Sequence, residues 1–288
     1  MIDLHTHSTC SDGTCVPAEL IALAEEAGLT AVALCDHNTV KGLPEFLAAA
    51  EGSPVTAVPG VEFSTEHEGV ELHILGLFIP TGHYGTVTKF LDRILEEKER
   101  SNRDLIRALN AVGMELDYDA IRADHPDGVI NRAVIAGEMV RKGYVSSVKE
   151  AFSQWLSPKR GYYHPPRRPG SLEIIRLIRS IGCVSVLAHP FLDLDEGGLR
   201  RFLSDAVPAG LDGMETRYSR FSEEQSRLAA RIAREFGLLE SGGSDFHGEI
   251  KPDIRMGTGT GALSVPDAFL IRLRERICRD KNGKNAGI

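Results

Sequence analysis

The chain has 288 residues, 42% hydrophobic and 26% charged, which suits one large α/β domain or a barrel carrying an insertion. A net charge of −8 excludes a generally basic, nucleic-acid-coating surface, and five cysteines without a CxxC pair exclude a disulfide framework or a cysteine zinc site. No apolar stretch approaches the ~20 residues of a membrane span and the N-terminus lacks a signal-peptide layout, so a cytoplasmic protein is the expectation.

Ile2 to His7 reads as a strand, and Pro17 opens a predicted helix to Ala27 that Gly28 caps in the left-handed conformation. Thr30 to Cys35 is a second strand, Val40 to Ala50 a helix and Val55 to Phe63 a third strand. The Glu68-Gly69 turn then returns the chain through Glu71–Phe78 as the second arm of a hairpin. From Thr81 to Arg168 the pattern is helical only: a long amphipathic helix ending near Gly113, then Ala133–Lys142 and Ser147–Leu156. This block holds 15 Lys and Arg against 12 Asp and Glu, so the excess negative charge lies outside it. The α/β rhythm resumes with helix Leu172–Ser180 and strands Val184–Ala188 and Leu211–Thr216. A capping box at Ser222–Gln225 opens a helix to Phe236; strand Leu238–Gly242, helix Pro266–Ile277 and a loose polar tail from Lys281 follow. The predicted organisation is a barrel of residues 1–80 and 169–288 with a helical insertion of residues 81–168.

His5 and His7 stand two apart at a strand end, a spacing that points two imidazoles to one side. His37 follows the second strand, Glu62 ends the third, His189 follows Val184–Ala188, and Asp245 and His247 follow Leu238–Gly242. These are carboxyl ends of strands, the edge on which barrel active sites are built. Asp12 on the first loop and His73 on the hairpin complete nine imidazole and carboxylate candidates, more than one ion can use, so two or three divalent ions such as Mn, Fe or Zn are expected.

The segments His5-Thr6-His7 with Ser11-Asp12-Gly13, Cys35-Asp36-His37-Asn38, Gly60-Val61-Glu62, His73-Ile74-Leu75-Gly76, Ala188-His189-Pro190 and Ser244-Asp245-Phe246-His247 resemble the polymerase-and-histidinol-phosphatase (PHP) superfamily of metal-dependent phosphoesterases, in its order. The resemblance implies an α/β fold, a distorted (β/α)7 TIM-like barrel. It implies that His5, His7, Glu62 and Asp245 hold one ion, that Glu62 bridges to a second held by His73 and His189, and that Asp12, His37 and His247 hold a third. Asp36 is expected behind these ligands, orienting an imidazole. Glu215, at another strand end, is expected to be structural.

Asn131-Arg132-Ala133-Val134-Ile135-Ala136 and Trp155-Leu156-Ser157 resemble the branch acting on 3′,5′-nucleoside bisphosphates and on the 5′ ends of short oligonucleotides, with Val134 standing where that branch usually has His. Arg132, Lys159 and Arg160 are the candidate substrate-phosphate contacts, because guanidinium forks and ammonium charge suit phosphate oxygens. Trp155, Tyr162 and Tyr163 either stack on a base or pack the insertion. The expected reaction is phosphate monoester hydrolysis by a metal-bridging hydroxide, with His189 a candidate proton donor; no obligate protein partner is implied. A 5′-to-3′ exonuclease, a histidinol-phosphate-type phosphatase and a non-catalytic metal-binding module are the alternatives. His67, His83 and His125 are expected to be exposed, and His164 lies beside Arg167 and Arg168 in a Pro/Arg-rich connector.

Overall fold

β1 (Ile2–Thr6) is buried along its whole length, as a strand covered on both faces must be. α1 (Pro17–Glu26) starts with proline in its first turn, where no amide donor is needed, and ends before Gly28, whose φ of 66° is left-handed. β2 (Ala31–Leu34) and the short α2 (Leu43–Ala49) follow. β3 (Thr56–His67) turns at Glu68 and Gly69 into β4 (Val70–Leu77). These coordinates, a computed structural model, describe residues 1–124, 130–166 and 168–285. His125 and Arg167 therefore lie outside the described residues.

The chain next enters four helices, α3 (Tyr84–Asn110), α4 (Tyr118–Asp124), α5 (Arg132–Arg141) and α6 (Val148–Ala151), the last running into a π turn at Phe152–Leu156. It returns through α7 (Ser171–Ser180), β5 (Val184–Leu187), α8 (Glu196–Ala209), β6 (Gly213–Tyr218), α9 (Glu223–Glu235), β7 (Leu239–Gly243) and α10 (Asp267–Asn285). Two compact units result, Met1–Thr88 with Pro169–Ile288, and Lys89–Arg168. The second starts inside α3, eight residues after the Thr81 expected from the change of pattern.

In the first unit the seven strands follow chain order, β1 to β7, in one mixed sheet nearly closed into a barrel. All neighbours are parallel except β4, which runs antiparallel to both β3 and β5. The seam joins β1 to the segment after β7: His5 O accepts from Asp245 N at 2.8 Å, and His7 N donates to Phe246 O at 2.9 Å. Gly243 makes that approach possible, since a Cβ there would lie 2.4 Å from the Cβ of His5. Asp3 ties the same seam by accepting from Ser244 N and Gly257 N, both at 2.8 Å. Ile2, Leu4, Ala33, Val58, Leu75 and Val186 meet Phe269 and Leu273 of α10 in the barrel core.

The second unit has a core of its own, in which Leu105, Ile106 and Leu109 of α3 meet Ile121, Ile135 and Met139. Three expectations need correction. Gly197, Gly198 and Pro208 weaken the helical pattern of α8, which is absent from the predicted elements; Asp195 caps it, and Pro208 near its C-terminus removes a single backbone donor. α4 is likewise absent from them. The loose tail from Lys281 is instead helix as far as Asn285, while residues 286–288 lie outside the described residues. Among the described residues no helix is long and apolar enough to cross a membrane.

Candidate metal centre

All nine residues singled out from the sequence come together at one end of the barrel. His5 ends β1 and His7 follows it, His37 follows β2, Glu62 lies in β3, His189 follows β5, and Asp245 and His247 follow β7. His73 joins them because β4 is antiparallel, so its first half lies beside the last halves of its neighbours, with Ser64 opposite His73. Left-handed backbone at three non-glycine positions, Asn38 (φ 52°), His189 (φ 28°) and Asp245 (φ 58°), aims these ends; such strain is concentrated at functional sites.

Glu62 is the hub and is fully buried. Its Oε2 lies 3.2 Å from His5 Nε2, 3.3 Å from His7 Nε2 and 3.1 Å from His37 Nδ1. Its Oε1 lies 2.8 Å from His73 Nδ1 and 3.1 Å from His189 Nε2. Asp245 Oδ1 stands 3.2 Å from His7 Nε2, and the more exposed Asp12 reaches His247 Nε2 at 3.3 Å. Four overlapping groups have donor atoms mutually within 4.8 Å: His7, Asp12, His37 and His247; His5, His7 and Asp245; His5, Glu62 and His189; and His37, Glu62 and His73.

These residues fit divalent ions on a direct test. His5 Nε2, both ring nitrogens of His7, His37 Nδ1, His189 Nδ1 and Glu62 Oε2 are buried with no hydrogen-bond partner. Buried polar atoms are ordinarily paired, and leaving one unpaired costs about 1–3 kcal/mol, so an orphaned group of convergent nitrogen and oxygen donors is explained by a cation. The charges agree. Burial alone would raise Glu62, yet the imidazoles of His5, His37 and His73 hold it well below the carboxylate range. Burial would lower His73, but Glu62 pushes it up to about 10. For His37 burial wins and holds it down to about 4.

Behind the ligands, Glu215 is fully buried and accepts from His5 Nδ1 at 3.0 Å and from His189 N at 2.6 Å. A carboxylate only accepts, so His5 carries its proton on Nδ1 and turns Nε2 toward the cluster. Glu215 is thus no bystander in the framework, although it is not among the convergent ligands. Asp36 was expected to orient an imidazole, and the structure corrects this. Its Oδ1 accepts from Ser8 N at 2.8 Å and Ser11 Oγ at 2.6 Å, and its Oδ2 from Ser8 Oγ at 2.7 Å. It therefore fixes the loop that carries Asp12. Two side chains were missed altogether. Tyr218 Oη and Lys251 Nζ donate to Asp245 Oδ2 at 2.9 and 2.8 Å. Tyr218 ends β6, the same strand-end position that marked the ligands, so that signal was available; Lys251 left none.

Within the second unit, Arg132, Lys149, Lys159 and Arg160 line a cavity of about 860 Å³ with Phe152. The Arg132 guanidinium lies 4.4 Å from the Tyr163 ring and 5.4 Å from Phe152, and donates to Leu156 O at 3.1 Å. Tyr163 is buried in that unit's core, and Trp155 and Tyr162 pack on each other, centroids 5.2 Å apart, against the same core. Packing is thus what these three aromatics do here. His67 corrects its expectation: it is half-buried, 3.3 Å from Asp205 Oδ2 and edge-on to Phe202. His83 is also half-buried, whereas His164 is exposed.

A nearly closed, seven-stranded barrel with nine ligand-type residues at one end defines a metal-dependent phosphoesterase architecture. The PHP domain family model matches residues 3–157, and the chain belongs to that family. It is 33% identical over 246 residues to a 5′-3′ exoribonuclease of Haemophilus influenzae, covering 85% of this chain and 89% of the relative. It is 31% identical over 249 residues to a 3′,5′-nucleoside bisphosphate phosphatase of Chromobacterium violaceum, covering 85% and 87%. A solved structure from Bifidobacterium adolescentis described as a metal-dependent phosphoesterase superposes with TM-score 0.70 at 27% identity, over 96% of each chain. The protein is a metal-dependent hydrolase of phosphoester bonds.

Proposed function

We propose that the chain hydrolyses the 3′-phosphate of 3′,5′-nucleoside bisphosphates, giving a 5′-nucleotide and phosphate. The observation that carries the nucleotide reading is the cationic cavity of Arg132, Lys149, Lys159 and Arg160, a phosphate-type recognition surface on an otherwise acidic chain. In this reading His5, His7, Glu62 and Asp245 hold one ion, Glu62, His73 and His189 a second, and Asp12, His37 and His247 a third, with Mn, Fe or Zn the candidates. Ions held there would supply a water of lowered pKa and would neutralise phosphate charge. The chain's own residues do the rest. Glu215 sets the tautomer of His5, Asp36 holds the Asp12 loop, and the stack on Tyr163 and Phe152 fixes the planar fork of Arg132, a candidate phosphate contact within its own unit. The cytoplasmic expectation belongs to this proposal, supported by Cys10, Cys15, Cys35 and Cys183 being free thiols.

A second reading, 5′-to-3′ removal of nucleotides from short RNA, is favoured by the Haemophilus influenzae relative's 33% identity. Phosphate release from nucleoside bisphosphates, labelled oligonucleotides and histidinol phosphate, with Mn supplied and His7→Ala as control, separates the readings. Turnover of bisphosphates well above the others supports the first. Processive shortening of oligonucleotides with little bisphosphate turnover overturns it.

A further inference from the structure

The ligand oxygens of Asp245 are treated differently by their surroundings. Oδ1 faces the cluster, 3.2 Å from His7 Nε2, 3.4 Å from His247 Nδ1 and 3.8 Å from His5 Nε2. Oδ2 is turned away from it and takes two donors, the Tyr218 hydroxyl at 2.9 Å and the Lys251 ammonium at 2.8 Å. Both donors stand on well-bonded backbone. Tyr218 is buried at the end of β6, its ring 5.3 Å from the His189 ring and edge-on to Phe221 at 5.2 Å. Lys251 closes the 3-10 turn Gly248–Ile250 that follows His247, and its backbone is bonded on both sides, to Gly248 O and from Ile254 N. Asp245 itself has its backbone amide on His5 O and a left-handed φ of 58°. Backbone and Oδ2 are thus both tied, and one oxygen remains for an ion.

We propose that Tyr218 and Lys251 are positioning residues that hold Asp245 as a one-oxygen ligand and so set the affinity of the ion it grips with His5 and His7. A carboxylate with both oxygens free swings and chelates through either or both. Filling the lone pairs of Oδ2 with a phenol and an ammonium removes that freedom before any ion arrives, which is the general action of outer partners on ligating carboxylates. The charge of Lys251 also offsets one of the carboxylates crowded at this barrel end, where among the described residues it is the one Lys or Arg in an ion pair with a residue of the candidate ligand set. The proposal rests on reading the cluster as a metal centre.

Tyr218→Phe keeps the ring and deletes the hydroxyl; Lys251→Met keeps the stem and deletes the charge; Lys251→Arg retains a charged donor. Each is loaded with Mn or Co, and ion affinity is read by calorimetry, coordination by the visible spectrum of the Co form, and folding by the Tm of the metal-free protein. Tyr218→Phe and Lys251→Met should each weaken ion binding about 10–100-fold, with a changed Co spectrum and little change in metal-free Tm, and Lys251→Arg should recover part of the loss. Unchanged affinity and spectrum in both variants overturn the proposal, as does a loss of affinity matched by an equal loss of metal-free stability. Failure of the unmodified protein to bind any divalent ion overturns the metal-centre reading itself, and is thereby distinguishable.

Discussion

Glu215→Gln is the most informative single change at this site, because it preserves shape while removing one acceptor and the charge beside His5. Glu215 accepts two hydrogen bonds, from His189 N at 2.6 Å and from His5 Nδ1 at 3.0 Å, and is fully buried. Glutamine brings one acceptor oxygen and one amide nitrogen. The backbone amide of His189 is a donor in every protonation state, so the oxygen turns to it and the NH2 turns to His5 Nδ1. Two donors then face each other unless His5 moves its proton to Nε2, the nitrogen that points at Glu62. That flip removes the lone pair needed for an ion; keeping the old tautomer instead leaves a buried donor unpaired at about 1–3 kcal/mol. Either way the ion shared by His5 and His7 is held about 10–100-fold more weakly, or about 1.4–2.7 kcal/mol. The check is metal content after gel filtration and calorimetric titration with Mn, alongside phosphate release. An affinity within twofold of the unmodified protein would refute the tautomer reasoning, since among the described residues Glu215 is the partner found for His5 Nδ1.

Gly243→Ala should abolish activity and lower Tm, because its methyl group meets His5 Cβ at 2.4 Å and His5 N at 2.5 Å across the barrel seam; a Tm within a degree of the original refutes this. Ion affinity should climb with pH, since ligating imidazoles must be neutral and Glu62 holds His73 up to about 10; calorimetry in buffers of different ionisation enthalpy should register net proton release at pH 7. In the metal-free protein His73 should act in the opposite direction. The raised His73 contributes stability that is complete below its unfolded pKa of about 6.5 and is lost as pH rises toward 10, while the depressed Glu62 and Asp245 contribute above their unfolded pKa values and lose that contribution on acidification. Denaturant titrations of metal-free protein at pH 6 and pH 9 test the first part: equal stability counts against it. Arg132→Ala should reduce kcat/KM for bisphosphates about 10–100-fold more than for a small chromogenic phosphate ester, as loss of a charge-assisted contact of about 1.5–3 kcal/mol requires; equal losses on both would mean that its bonds to Leu156, Tyr163 and Phe152 are only structural.

Seven of the nine convergent residues were legible at the ends of apolar runs, since a parallel strand end is a fixed place in a barrel, while Asp12 on the first loop and His73 on the antiparallel β4 were legible only within the motif set. The hairpin of β3 and β4 was legible from Glu68-Gly69, but the antiparallel pairing of β4 with β5 was not, since nothing local records which strand becomes a neighbour across more than a hundred residues. α8 was hidden by its own Gly and Pro content, which lowers propensity without preventing a helix that buries Leu199, Phe202, Leu203 and Ala206. Asp36 shows the same limit at the scale of one side chain: its motif marked it as supporting, and only the path of the Ser8–Gly13 loop decided what it supports.

By itself the sequence determined the kinds of donor, their order and the barrel edge they share, because periodicity and strand termini are local properties. Tertiary structure alone decided that Glu62 stands among five imidazoles, that Glu215 sets the proton of His5, and that Tyr218 and Lys251 take the far oxygen of Asp245. Those relations join atoms as far apart in sequence as His5 and Asp245, and they depend on register, seam closure and side-chain direction, which are set by the packing of the whole barrel.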